Sequence, residues 1–249
     1  MISAKDVCFS YDKKRVLRGI NFQLKSGELV SLLGVNGSGK TTLLKLICGL
    51  LQPDSGKLCI GDIPIKEMSG QELSRAIAYM PQKSNGVFCS VFDAVLIGRR
   101  PHIGFEVSRH DIEIATETIK MLGLTELAFS NTSELSGGEL QKVIIARALV
   151  QEPKVLLLDE PINHLDIRNQ LEIMTIIKNI TKRLNLTTVI VLHDLNMAMR
   201  FSDKFLLLKE GKVYAFGGKE VITPQIVKEV YQIDVVIQNY GGYPLIIPC

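Results

Sequence analysis

The spacing of apolar residues changes along the chain, and each change marks an element. Val7 and Phe9, then Ile20, Phe22 and Leu24 alternating with Asn21 and Gln23, have the period of half-buried strands and predict an antiparallel opening segment. From Leu29 to Leu33 the run is nearly continuous, a glycine-rich turn follows, and Leu43, Leu44, Leu46, Ile47, Leu50 and Leu51 then repeat at helical spacing, which reads as strand, loop, helix. The same order returns at Val155 to Leu158 and Val189 to Leu192, two apolar runs flanking a helix that places Leu171, Met174, Ile177 and Ile180 on one side. Strands buried on both faces have this unbroken apolar character, so a parallel sheet is expected.

Between these blocks, residues 84–153 predict mostly helix, with Ser90 and Asp93, and Ser108 and Asp111, at capping-box spacing before periodic stretches. Phe205 to Leu208, the turn Glu210-Gly211 and Val213 to Phe216 read as a hairpin, and residues 219–249 as a small appendage rich in β-branched residues. The expected organisation is a single domain over 1–249. Its core is 1–83 with 154–218, and 84–153 is inserted as a helical subdomain.

Composition narrows the function. With 46% hydrophobic and 22% charged residues the chain is an ordinary globular protein, and 29 Lys and Arg against 26 Asp and Glu, without single-sign blocks, disfavour a nucleic-acid partner. No apolar run approaches the roughly 20 residues needed to span a bilayer. The first residues lack a secretory pattern, so a cytosolic location is expected. The five cysteines (8, 48, 59, 89 and 249) include no C-x-x-C pair and signal neither disulfides nor zinc.

The strongest chemical signal is Gly34-Val35-Asn36-Gly37-Ser38-Gly39-Lys40-Thr41, which fits G-x-x-x-x-G-K-[ST]. Glycines let backbone N–H groups approach phosphates, a helix N-terminus adds a positive dipole end, Lys40 neutralises the β and γ oxygens, and Thr41 offers a hydroxyl to Mg²⁺. A second signal is the acidic pair Asp159-Glu160 ending an apolar strand, where open α/β sheets bind ligands. Asp159 is the candidate for holding Mg²⁺, and Glu160, pointing the other way, for orienting and polarising an attacking water. Third, Leu135-Ser136-Gly137-Gly138-Glu139 opens a helix that must end before Pro153, which amounts to a second anion site for which one chain with one phosphate loop has no evident use.

Gly34 to Thr42, Leu135 to Glu139, Val155 to Glu160, Asn163-His164-Leu165-Asp166 and His193, in this order and spacing, resemble the ATPase subunits of the ATP-binding-cassette (ABC) family over residues 1 to about 218. The resemblance implies an α/β P-loop (RecA-like) core with an N-terminal antiparallel β subdomain and an inserted α-helical subdomain. It also implies that two cassettes pair head to tail, the Ser136-Gly137-Gly138-Glu139 signature of one closing over ATP held by the phosphate loop of the other. On that basis Tyr11 stacks on adenine, Gln82 senses Mg²⁺ and the transport partner, Asp166 acts across the dimer and His193 touches the γ-phosphate. The implied cofactors are ATP and Mg²⁺. The implied partners are a second copy, an integral-membrane permease dimer at the cytoplasmic face and, indirectly, a substrate-binding protein. Ile162, Glu139 and Lys142 depart from the common family pattern of Thr, Gln and Arg without removing a group from this chemistry.

The stretch Val95 to His102, the run His193 to Ala198 and the ending Gly242 to Pro248 look like the ATPases of importers for iron-siderophore complexes, haem and cobalamin. The groove around Gln82, Val87, Phe88 and the helices from Ser90 to Met121 is the permease surface this implies. Importers of another metal or of an oxyanion such as molybdate, exporter subunits and soluble non-transport ABC ATPases stay open. Chromosome-maintenance members do not fit, because only 94 residues separate Lys40 from Leu135 and they carry no sustained heptads.

Overall fold

In the computed structural model, which describes residues 1–82 and 88–249, the apolar runs become the centre of a three-layer fold. The strands are β1 (Ile2–Tyr11), β2 (Lys14–Leu24), β3 (Leu29–Leu33), β4 (Ser55–Ile60), β5 (Ile63–Pro64), β6 (Ile77–Met80), β7 (Val155–Asp159), β8 (Thr187–Val191), β9 (Lys204–Lys209), β10 (Lys212–Gly217), β11 (Val235–Tyr240) and β12 (Tyr243–Pro248). The helices are α1 (Lys40–Ile47), α2 (Gly70–Ala76), α3 (Val91–Leu96), α4 (Arg109–Met121), α5 (Gly137–Leu149), α6 (Ile167–Arg183), α7 (Leu195–Phe201) and α8 (Pro224–Tyr231). The boundary expected near residues 83 and 84 falls outside the described residues, as does Val87.

The main sheet has six strands in the order β10-β9-β3-β8-β7-β6, parallel except for β10. Its central strands are buried throughout, Ser31, Thr187 and Thr188 included, because alternate residues feed two different cores. Leu29, Leu33, Leu156, Leu158 and Ile190 face the core shared with α4, α5, α6 and α8. Val30, Leu32, Val155, Leu157 and Val189 face the core shared with α1 and the antiparallel sheet, ordered β2-β1-β4-β5. A strand with no wet face cannot alternate polar and apolar residues, which is why its sequence reads as a run.

Helices α3, α4 and α5 lie between β6 and β7 in the chain. At α4, Ser108 and Asp111 form the full reciprocal cap. At α3 the Ser90 hydroxyl accepts the Asp93 N–H and donates to the Asp93 carboxylate at 2.6 Å, but the backbone half of the box is not formed, and Ser90 is bridged to Asn131. Arg99, buried in the turn after α3, ties these helices together: its Nε donates to Asp111 at 3.0 Å and its Nη1 to the Val150 carbonyl and to Glu152. A buried guanidinium is tolerated only when its donors are matched in this way. The appendage consists of α8 and the β11–β12 hairpin, the latter held on α7 by Asn196, which donates to the Ile246 carbonyl at 3.1 Å and accepts the Ile246 N–H at 2.7 Å.

The Ser108 hydroxyl, the Ser108 N–H and the Arg99 guanidinium hold the Asp111 carboxyl down to about 2, below its ordinary 3.8. A depressed carboxylate contributes stability above its unfolded value and loses it as pH falls through the folded one. Asp111→Asn should therefore destabilise the protein at pH 6–7, with the gap to wild type narrowing between about pH 4 and pH 2; denaturant midpoints across that range check it, and a gap independent of pH would show that the charge contributes nothing.

Candidate functional site

The parallel register brings the C-terminal ends of the central strands to one edge of the sheet. Leu32 pairs with Val191, Val191 with Asp159 and Leu158 with Met80, so the turns that begin at Gly34, Glu160, Leu192 and Pro81 open side by side. They line one open cavity of about 900 Å³, together with Tyr11, Lys14, Arg15 and Arg18 from the β1–β2 hairpin and Glu210-Gly211 from the β9–β10 turn. Tyr11, Asn36, Gly37, Gly39, Lys40, Thr41, Thr42, Gln82, Glu160 and His193 all lie on that wall.

The phosphate loop is shaped by positions where only glycine fits. Gly39 stands at φ 104°, and a Cβ there would come within 2.6 Å of Leu17. Gly34 stands at φ 144°, where a Cβ would lie 2.3 Å from the Leu208 carbonyl. Left-handed backbone with no room for a side chain leaves the loop flat against its neighbours. Helix α1 then starts without a side-chain cap, so its first N–H groups face the cavity as an anion site. Lys40, 6% exposed, lies along the loop with its Nζ donating to the Gly34 carbonyl at 2.7 Å and the Val35 carbonyl at 3.1 Å. Burial pushes its ammonium below the usual lysine range, and the Glu160 and Asp159 carboxylates oppose that shift.

The two acidic residues have different surroundings. Asp159, 1% exposed at the end of β7, has no hydrogen-bond partner of normal geometry on either carboxylate oxygen. Burial raises its carboxyl above the usual range; the Thr41 hydroxyl beside it acts the other way, and the Glu160 charge adds to the rise. Glu160 sits in left-handed backbone at φ 56°, a conformation costing about 1–2 kcal/mol in a non-glycine residue. Its Oε2 accepts from Gln82 Nε2 at 2.6 Å and from Asn163 Nδ2, and its Oε1 lies 2.6 Å from His193 Nε2. One carboxylate thus gathers side chains from the turns after β6, β7 and β8.

Two further observations bear on nucleotide and metal. Ser38 Oγ is also buried without a hydrogen-bond partner, so the loop and the strand end together hold three buried polar oxygens without a hydrogen bond of normal geometry. Buried oxygens left in this state are costly unless something else completes them. Among the described residues no three His, Cys, Asp or Glu cluster as a self-contained metal site. Thr41, Asp159 and Gln82 supply the oxygen donors suited to a Mg²⁺ that keeps several ligands from water or substrate phosphate.

The remaining candidates lie elsewhere. None of Ser136, Gly137, Gly138, Glu139 and Asp166 lines the cavity. Ser136 caps α5 in a reciprocal box, its hydroxyl donating to Glu139 Oε2 at 2.6 Å, and that bond holds the Glu139 carboxyl below its usual range. Asp166 caps α6 by accepting the Asn169 N–H at 2.9 Å and Asn169 Nδ2 at 2.7 Å. The two helix starts are adjacent: a Cβ on Gly138 would lie 2.4 Å from Asn169 Oδ1, and Lys142 pairs with Glu172 one turn on.

Sequence reasoning did not find Lys14, Arg15 and Arg18, although the basic run Lys13-Lys14-Arg15 soon after Tyr11 was a legible signal, nor Asn163 as a partner of Glu160. It also missed Tyr231, whose hydroxyl accepts the Gly34 N–H at 3.0 Å across 197 residues, a separation no local pattern encodes.

A phosphate loop on a parallel sheet, with an acidic strand end and a histidine in the turn after the neighbouring strand, defines an ATPase of the P-loop class. The chain matches the ABC transporter family over residues 17–163. It is 52% identical over 248 residues to an uncharacterised ABC transporter ATP-binding protein of Methanocaldococcus jannaschii, covering 100% of this chain and 98% of that one. It is 36% identical to a hemin import ATP-binding protein of Pseudomonas putida, covering 99% of each. A solved structure assigned to a metal-chelate type ABC transporter in an inward-facing conformation superposes with a TM-score of 0.87 at 30% identity, over 100% of this chain and 96% of its own. A dimeric ATP-binding cassette in a post-hydrolysis state, bound to ADP and Pi, gives a TM-score of 0.75 at 30% identity over 88% of this chain and 98% of its own. The chain belongs to the ABC transporter family and is an ATPase.

The buried, unpartnered Asp159 carboxylate is a cost to the free protein. Asp159→Asn should leave the unfolding midpoint of the nucleotide-free protein at or above that of wild type while weakening Mg²⁺-dependent nucleotide binding by about tenfold or more. Thermal midpoints with and without Mg-ATP check both; a fall of several degrees in the free protein would show that the carboxylate supports the fold.

Proposed function

We propose that two copies of this chain close head to tail around two ATP molecules, and that closure and reopening drive an integral-membrane importer of a metal chelate, an iron-siderophore complex, haem or cobalamin. The observation that carries this reading is the division of the site within one chain. The cavity holds the phosphate loop, Glu160, His193 and Gln82, while a second capped, glycine-rich helix start at Ser136, with Asp166 beside it, lies off that cavity. A second copy rotated onto the first would bring the two halves together at both sites.

In this reading the loop N–H groups and Lys40 grip the β and γ phosphates and Tyr11, 43% exposed at the mouth, stacks on the adenine. Thr41, Asp159 and Gln82 would hold Mg²⁺, which when bound draws charge off the phosphates. Glu160 orients the attacking water and takes up its proton as the water oxygen bonds to the γ phosphorus and the bond to the β-bridging oxygen breaks. His193, fixed on Glu160 Oε1, faces the γ-phosphate, and Gln82, fixed on Oε2, reports the state of the site to the permease. The Ser136 to Glu139 segment and Asp166 of the partner copy complete the enclosure. Catalysis is then chiefly positioning and electrostatic clamping.

The permease surface is the outer face of the helical segment, where Phe88 and Phe129 are 86% and 87% exposed and a shallow pocket is lined by Tyr79, Met80, Ile97, Gly98, Ile144 and Arg147. Exposed aromatic side chains are enriched where a protein partner docks. In this reading the permease supplies the membrane spans and this chain sits at their cytoplasmic ends; no helix among the described residues is long and apolar enough to cross a membrane. The cargo class is supported by the hemin import protein and the metal-chelate type transporter among the similar proteins.

Glu160→Gln should bind Mg-ATP within a few-fold of wild type and hydrolyse it at least about a hundredfold more slowly; unchanged turnover would remove the role given to Glu160. Loaded with Mg-ATP and used to pull partners from detergent-solubilised native membranes, that variant should recover a polytopic permease, whereas soluble partners alone would overturn the transport reading. Lys40→Ala and Ser136→Ala should each be nearly inactive, yet an equimolar mixture should regain activity, because a mixed dimer contains one site with both wild-type halves. Absence of recovery would argue that each chain completes its own site.

A further inference from the structure

The appendage reaches into the nucleotide site at one atom. Gly34, the first residue of the phosphate loop, has no side chain with which to anchor itself and stands at φ 144°, so its place must be set by its backbone groups. Its carbonyl takes Lys40 Nζ, its α-carbon abuts the Leu208 carbonyl of β9, and its N–H is met by the Tyr231 hydroxyl at 3.0 Å. Tyr231 is the last residue of α8, and that helix is firmly placed. Thr223 caps it, Pro224 occupies its first turn, and Val227 and Val230 are buried in the core that also holds Phe205 of β9. Burial pushes the phenol up to about 12, so the hydroxyl stays neutral and protonated across the physiological range. At its other end the appendage is clamped to α7 through Asn196, three residues after His193.

Resting on the nucleotide-site reading above, we propose that Tyr231 is a positioning residue of that site: its hydroxyl, by accepting the Gly34 N–H, fixes the start of the phosphate loop at the depth from which the loop grips phosphate. Residues 219–249 are then a working part of the ATP site. An N–H buried against β9 without this acceptor would drive the loop to shift toward another partner, Lys40 would lose the position of its carbonyl rest, and every phosphate contact downstream would be disturbed. The loop binds phosphate before and during reaction alike, so the loss falls on nucleotide binding and leaves the chemical step largely intact.

Tyr231→Phe keeps the ring and removes only the acceptor. It is expected to raise the Kd for both ATP and ADP about three- to tenfold and the KM for ATP in step, with kcat within about twofold of wild type. Amide hydrogen exchange at Gly34 should be faster than in wild type, at a temperature where both proteins are folded. Tyr240→Phe, which alters an exposed hydroxyl of the same appendage, should change none of these. A lower unfolding midpoint with nucleotide affinity unchanged would overturn the proposal, as would unaltered exchange at Gly34. If wild type itself bound no ATP, the functional reading would fall, and the exchange at Gly34 would still decide whether Tyr231 holds the loop.

Discussion

The fold depends on the burial of both faces of β3, β7 and β8. Alternate residues of each strand enter opposite cores, so none of these strands can lie at a wet surface, and layers of structure must cover the sheet on both sides. Parallel strands of this kind end at the same edge. Chain turns containing Gly34, Gln82, Glu160 and His193, far apart in sequence, therefore open into one cavity. The chemistry is gathered there by strand register, and each of the four side chains or backbone turns is placed by a rigid strand behind it.

At that edge the protein accepts arrangements that stability alone would not favour. Asp159 is buried without a hydrogen bond of normal geometry, and Lys40 is buried on backbone carbonyls. Elsewhere buried charge is matched, as at Arg99 with Asp111, Glu152 and the Val150 carbonyl. The contrast separates a group placed for a ligand from one placed for the fold, because a structural charge gains nothing from being left incomplete.

Glu160 and Ser136 show two ways in which the same local chemistry is used. The Glu160 carboxylate draws Gln82, Asn163 and His193 together and so connects three strand ends. The Ser136 hydroxyl is engaged with Glu139 in its own cap, and the helix it starts is wedged against the start of α6 by the Gly138–Asn169 contact. One site looks inward to a cavity; the other is a pair of helix starts that needs a surface brought to it.

What the sequence determined is what short-range physics encodes. The nearly continuous apolar runs stated that β3, β7 and β8 would be buried on both sides, the Gly-x-x-x-x-Gly-Lys-Thr spacing fixed the loop and helix start, and Ser108 with Asp111 specified a cap four residues long, since all of these interactions lie within one or two turns of chain. Only the tertiary structure decided that Glu160 would hold His193 and Gln82, that the Ser136 segment and Asp166 would lie together and away from the phosphate loop, and that Tyr231 would meet Gly34 across 197 residues. Those contacts follow from strand order, register and helix docking, which are set by how the two cores close around the whole sheet, and no spacing in the sequence records them.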